Sequence, residues 1–278
     1  MKKILVPVDF SNYSEYALEV AASFAKKHDA EIILLHMLGL SQAVLTKNED
    51  EEVAEAIYYM KLAEKRFNIL GTRISLEGLT VSEIVQNYKD FNEINEVVKD
   101  QGADLIVMGS HGSSGISEIF VGSNTEKVVR TSEVPVLVIK EHLSDFTIHK
   151  VVFACDFKTE NILVYRKAMQ FFERIGAAVD LVYVNVPGTS FRSTTQIQEQ
   201  AEEFLSIADF DATIHPNEVV YLNGYSIEQA IFDYAKKIQA DALAIPTHGR
   251  KGLAHFFNGS IGEDLANHSK LPVFTFKI

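Results

Sequence analysis

The chain has 278 residues, 47% of them hydrophobic and 23% charged, a composition that suits one large or two smaller soluble domains. A formal net charge of −12 without a run of Lys or Arg speaks against gripping a nucleic-acid backbone or an anionic membrane surface, and no stretch approaches the ~18 apolar residues of a membrane span. The single cysteine, Cys155, excludes an intrachain disulfide, and the N-terminal apolar run breaks at Pro7 and Asp9, too short for a signal-peptide core; a cytoplasmic protein is expected.

Short apolar runs alternate with helical periodicities. Ile4 to Val8 reads as a buried strand. Asn12 with Glu15 three residues on signals a helix start, after which Ala17, Val20, Ala21, Phe24 and Ala25 recur at helical spacing. Ile32 to Met37 is a second strand. Glu49 to Ile74 is a long helix with Gly71 as a weak point, and its acidic run Glu49 to Glu52 is a solvated first turn that suits the helix dipole. A strand from Val81 to Val85, a helix from Phe91 to Lys99, a strand from Leu105 to Met108, a helix from Glu118 to Thr131 and a strand from Val136 to Ile139 follow. The second half reads as strands Val151 to Ala154, Leu181 to Val184, Val219 to Leu222, Leu243 to Ile245 and Val273 to Phe276. Its helices lie around Val164 to Arg174, Thr195 to Ile207 and Ile227 to Ile238.

The two halves are copies. KILVPVDF (Lys3 to Phe10) returns as KVVFACDF (Lys150 to Phe157) at an offset of 156 − 9 = 147. Asp104-Leu105, Gly112, Gly122-Ser123 and Pro135-Val136 return as Asp241-Ala242, Gly249, Gly259-Ser260 and Pro272-Val273 at an offset of 259 − 122 = 137. The difference, 147 − 137 = 10 residues, makes the first half longer in mid-repeat. Domains are expected at 1–143 and 147–278, joined by a polar stretch. Continuous apolar strands between helices predict two tandem doubly wound, Rossmann-like α/β domains, each a five-stranded mainly parallel sheet with helices on both faces and a ligand crevice at the carboxyl ends of the strands.

Strand one ends in Pro7-Val8-Asp9 and strand four in Met108-Gly109, so both loops face one crevice if these strands flank the switch point. Gly109, Gly112, Gly122 and Ser123 then form a spaced glycine loop in which a backbone can approach phosphate or take positive φ, and Ser123 and Thr125 open a helix whose first amides favour an anion. Asp9 can accept from ribose hydroxyls or an adenine amino group; equally, it can bond turn amides. His111 and His248 hold the same place in both copies, as phosphate contacts or backbone caps. Cys155 and His36 sit on apolar strands and read as packed core residues.

Both halves resemble universal stress protein domains. The first carries that family's nucleotide motif, G-x2-G-x9-G-[ST], from Gly109 to Ser123, together with the first-strand VPVDFS. The resemblance implies adenine near Asp9 and Met37 and phosphates against Gly109, Ser110, His111, Gly112, Gly122, Ser123, Asn124 and Thr125, with Pro7, Val8 and Met108 completing the candidate site. It implies ATP, or AMP or ADP, with Mg2+, and a stress-response binding or signalling module. It also implies intrachain pairing of the two halves through their fifth strands, and leaves homodimerisation open. No Lys or Arg lies between Gly109 and Glu126, no Walker loop is present and no base for water is marked, so no catalytic residue is assigned and no metal ligands are expected. A slow Mg-dependent ATPase or phosphotransfer enzyme and a nucleotide-free scaffold are the alternatives. In the second half Pro246 replaces the first glycine, while Asp156, Gly249, Gly259 and Ser260 remain and Arg250-Lys251 add charge, so that site is expected to be altered.

Overall fold

The computed structural model describes residues 1–38, 49–87, 91–111, 122–143, 145–188, 191–208, 218–247 and 271–278. They fall into two compact units that divide between Phe146 and Thr147. The first contains β1 (Lys3–Pro7), α1 (Asn12–His28), β2 (Glu31–Leu38), α2 (Glu49–Arg73), β3 (Val81–Asn87), α3 (Ile94–Gln101), β4 (Leu105–Gly109), α4 (Ser123–Thr131) and β5 (Val136–Ile139). Its strands lie in the order β3-β2-β1-β4-β5, and every described pairing is parallel. The second contains β6 (Lys150–Ala154), α5 (Ile162–Ile175), β7 (Ala178–Asn185), α6 (Thr194–Ala208), β8 (Val220–Asn223), α7 (Ile227–Ile238), β9 (Ala242–Thr247) and β10 (Val273–Lys277). Its order, β8-β7-β6-β9-β10, is the same topology, again parallel. This is the doubly wound α/β architecture the sequence predicts, once per half.

The apolar runs form strands because both faces are covered: every residue of β4 and of β5 is buried. Helix ends depart from expectation where a polar side chain decides them. Ser11, not Asn12, caps α1, its hydroxyl accepting from Ser14 N–H at 3.4 Å. Gly71 does not interrupt α2. Phe91 opens a 3-10 turn, and α3 starts only at Ile94. The predicted start of the helix at Glu118 lies outside the described residues. Eight of the ten extra residues of the first half are found in α2: α6 starts at the equivalent of Ile57 (194 − 137 = 57), so α2 gains 57 − 49 = 8 residues at its N-terminus. The cores differ in composition. The first is mainly aliphatic, whereas Phe171 and Phe172 of the second pack on Phe274 and Phe276 at centroid distances of 5.4 to 6.0 Å.

One device recurs in both units. The Asp104 carboxylate, at the head of β4, accepts from Lys2 N–H at 2.6 Å and Lys3 N–H at 3.1 Å, while Asp104 N–H donates to Lys3 O at 2.9 Å. Asp241 does the same for His149 N–H (2.7 Å), Lys150 N–H (2.9 Å) and Lys150 O (2.9 Å). The aspartate latches the start of the first strand to that of the fourth. Asp104→Ala removes two bonds to a charged acceptor and should cost about 1–3 kcal/mol in urea unfolding, with Asp104→Asn in between; an unchanged midpoint in both variants would refute the latch.

Candidate functional site

The crevice of the first unit begins where β1 and β4 separate. They pair only at Ile4↔Leu105 and Leu5↔Ile106, although β1 continues to Pro7 and β4 to Gly109. β1 turns to β2 on one side and β4 on the other, so this is the switch point of the sheet. Pro7 ends β1 opposite Leu35, and Met37 lies on β2, half-buried. Buried Val8 has both backbone groups engaged: its N–H donates to Leu35 O at 2.8 Å and its carbonyl lies 2.6 Å from His36 Nδ1.

Asp9 follows. Its Oδ1 accepts from Ser11 N–H at 3.1 Å and Ser11 Oγ–H at 2.6 Å, so the turn-bonding reading of this aspartate holds in this structure. The next residue carries the strain. Phe10 has φ +63°, and its copy Phe157 has φ +53°, a left-handed conformation unusual for a bulky residue. Each is held by aromatic neighbours. Phe10 lies 4.7 Å from the ring of His36 and 5.3 Å from Phe67; Phe157 lies 5.8 Å from Tyr183 and 5.6 Å from Phe204. The pairs His36/Tyr183 and Phe67/Phe204 are equivalent by the offsets (183 − 147 = 36; 204 − 137 = 67). Sequence reasoning missed this triad; its signal was the repeated Phe after the repeated Asp.

The glycine loop is closed at its base. Gly122 N–H donates to Ser110 O at 2.7 Å, Ser110 N–H to Ile139 O at 2.8 Å, and the buried Thr125 hydroxyl to Gly109 O at 2.9 Å. Met108 is buried in β4 opposite Val138. The His111 ring leans on Tyr13 at 5.1 Å, with Nδ1 2.9 Å from Ser110 Oγ. Ser123 and Asn124 are exposed at the first turn of α4, whose leading amides have no acceptor within the helix. Gly112 lies outside the described residues. Positive φ is not the reason for the two described motif glycines: Gly122 has φ −58°, and Gly109 is absent from the residues in the left-handed region. Gly109 is required by packing instead. A Cβ there would stand 2.7 Å from Tyr13 Cβ and 2.8 Å from the Tyr13 carbonyl, because α1 crosses β4 at that point.

The second unit differs at each of these places. β6 and β9 pair one step further, to Phe153↔Ala244. Asp156 Oδ1 accepts from Asn161 Nδ2 at 2.5 Å and Lys158 N–H at 3.2 Å, and its Oδ2 meets Lys158 Nζ at 2.7 Å. Pro246 lies within β9 opposite Phe276. Leu243 N–H points to the β10 side, so by two-residue alternation the Pro246 nitrogen faces β6, where the ladder has already ended. His248, Gly249, Arg250, Lys251, Gly259 and Ser260 lie outside the described residues. Burial pushes the Cys155 thiol up to about 12, and Phe157 N–H donates to its Sγ at 3.4 Å, the behaviour of a packed core thiol.

Two doubly wound units of the same topology, with an aspartate turn at each switch point, define a tandem Rossmann-like α/β protein. The chain belongs to the universal stress protein family, whose pattern matches residues 1–140 and again 147–277. A universal stress protein of Methanocaldococcus jannaschii is 36% identical over 153 residues, covering 50% of this chain and 94% of its own. One from Synechocystis sp. is 24% identical over 300 residues and covers 100% of both. The crystal structure of a universal stress protein from Archaeoglobus fulgidus shares the fold with a TM-score of 0.67 at 23% identity, covering 99% of this chain and 96% of the other.

Gly109→Ala forces Tyr13 and β4 apart and should destabilise the first unit by about 1–3 kcal/mol in chemical denaturation, with or without nucleotide; a stability equal to wild type would show that α1 yields freely. Burial of His36 lowers its pKa, outweighing the bond to the Val8 carbonyl. A folded pKa below the unfolded value means that its stabilisation is complete above the unfolded pKa, about 6.5, and falls as pH drops through it. His36→Tyr, which installs the residue of the second unit, should therefore flatten the loss of stability between about pH 7 and pH 5; identical slopes in thermal unfolding across that range would contradict it.

Proposed function

We propose that the first unit, residues 1–143, binds an adenine nucleotide, ATP or AMP or ADP, in the crevice between the β1 and β4 loops. On this reading the protein is a cytoplasmic stress-response module that acts by binding rather than by turnover. The second unit, 147–278, is an altered copy. The observation that carries the reading is the early parting of β1 from β4 at Leu5↔Ile106, with Asp9 following β1 and Ser110 and the start of α4 following β4. A nucleotide there has Asp9 and the edge of β2 at Met37 for its base and sugar. Its phosphates have the exposed first turn at Ser123 and Asn124, where the helix dipole favours an anion. The loop from Gly109 to Glu126 supplies no Lys or Arg, so backbone amides and hydroxyls do this work. Among the described residues no group of three His, Cys, Asp or Glu is placed to hold a metal, and no helix is long and apolar enough to cross a membrane. A Mg2+ ion accompanying the nucleotide would be held by its phosphates and water.

Isothermal titration with Mg2+ and ATP should show one site per chain. Asp9→Ala and Gly122→Val should each weaken binding by about tenfold or more, roughly 1.4 kcal/mol, while Asp156→Ala leaves it unchanged. Nucleotide affinity untouched in both first-unit variants, with their folding intact by circular dichroism, would remove the site.

A further inference from the structure

In the second unit a cavity of about 400 Å³ lies between the turn after β6 and helix α6. Its apolar walls are Phe157, Ile162, Phe204 and Ile207, and the exposed carboxylates Glu160 and Glu203 stand on its lining. Its volume is that of a small-molecule pocket, within a range of about 300–1,000 Å³. At the far wall Arg166 donates to the carbonyls of Ile207 and Ala208, tying α5 to the end of α6.

The first unit shows what chemistry this location takes. Phe157 corresponds to Phe10 (157 − 147 = 10), Ile162 to Glu15 (162 − 147 = 15) and Glu203 to Arg66 (203 − 137 = 66). There the Arg66 guanidinium lies over the Phe10 ring at 5.4 Å, and Arg73 Nη1 bonds Glu15 Oε1 at 2.7 Å. Two guanidinium groups of the chain itself thus sit against the residues whose counterparts line the cavity. The second unit has exchanged Arg66 for a carboxylate. Its one lining cation, Lys158, is bound to Asp156 at 2.7 Å, and Gln200 Nε2 is occupied by the carbonyls of Asp156 and Phe157 at 3.1 and 3.2 Å. Arg192 holds the other end of Gln200 at 2.7 Å and does not line the cavity.

We propose that this cavity binds a small organic cation, a guanidinium or ammonium compound with an apolar body. The head meets Glu203, and the body lies on Ile162 and Ile207. The internal arginines of the first unit are the template, with the cation now supplied from outside and recognised by a charge-assisted hydrogen bond. This site is separate from the nucleotide crevice of the first unit and stands or falls independently of it.

The test is titration of the full chain with phenylguanidinium and, as the control of matched shape and opposite charge, benzoate, followed by backbone-amide NMR shifts along α6. Phenylguanidinium should saturate at a Kd on the order of 1 mM, at least tenfold tighter than benzoate. Glu203→Arg, which restores the arginine of the first unit, should abolish the saturable shift; Glu203→Gln should weaken it several-fold. Nucleotide titration should be the same in both variants, and Glu203 is exposed, so the fold is expected to survive either change. Equal affinity for benzoate, wild-type affinity in Glu203→Arg, or no saturable shift to about 50 mM phenylguanidinium would each overturn the proposal.

Discussion

The carboxylate at the head of the fourth strand sets the level at which the rest of each unit stands. Asp104 and Asp241 each accept two amides from the start of the neighbouring first strand, at 2.6 and 3.1 Å and at 2.7 and 2.9 Å. A parallel strand that slips by one residue turns every side chain to the wrong face, so register is the quantity to be fixed. Once β4 is fixed against β1, Gly109 arrives where α1 crosses, and Ser110 N–H reaches Ile139 O. Thr125 then finds the Gly109 carbonyl. The closed base of the glycine loop is a consequence of that register, as is the end of the β1–β4 pairing at Leu5↔Ile106.

The second constraint is conformational. Asp9 and Asp156 are each followed by a phenylalanine in the left-handed region, at a cost on the order of 1–3 kcal/mol that persists only where surroundings enforce it. The enforcement is aromatic: His36 and Phe67 in one unit, Tyr183 and Phe204 in the other. A glycine would take that φ without strain but would leave the space beside α2 or α6 empty. The packing of the ring thus offsets the strain of the turn, and the turn aims the aspartate.

This explains which parts of the molecule could be read in advance. Parallel strands covered on both faces are continuous apolar runs, so the doubly wound fold, its duplication and nearly every strand were legible in the order of residues. Boundaries were less so, because Ser11 and the 3-10 turn at Phe91 decide them through single hydrogen bonds and local turns. Gly109 was legible as a required glycine but not for the right reason: nothing in a sequence says which backbone will pass 2.8 Å from its missing Cβ. The sign of φ at Phe10 was equally invisible, since a repeated phenylalanine after a strand reads as core. Asp156 looked intact because the Lys158 and Asn161 that occupy it lie in the turn and only meet it when the chain folds back.

The two units therefore share a frame and differ in what fills it. Lys158 and Asp156 are both substantially exposed, at 59% and 42% of their side chains, so their ion pair contributes little, about 0–1 kcal/mol. The hold on Asp156 falls mainly to the Asn161 amide at 2.5 Å, which is buried and cannot leave without losing its acceptor. Asn161 ends a 3-10 turn and α5 begins only at Ile162, the equivalent of Glu15, three residues later than α1 begins at Asn12. The same delay places a 3-10 turn, rather than a full helical turn, at the position of Tyr13. There the equivalent of Gly109 is Pro246, a residue that carries a Cβ. The proline, the engaged aspartate and the late helix thus coincide at one end of the second unit's sheet, and the proline is tolerated there because its nitrogen faces a side where β6 no longer pairs.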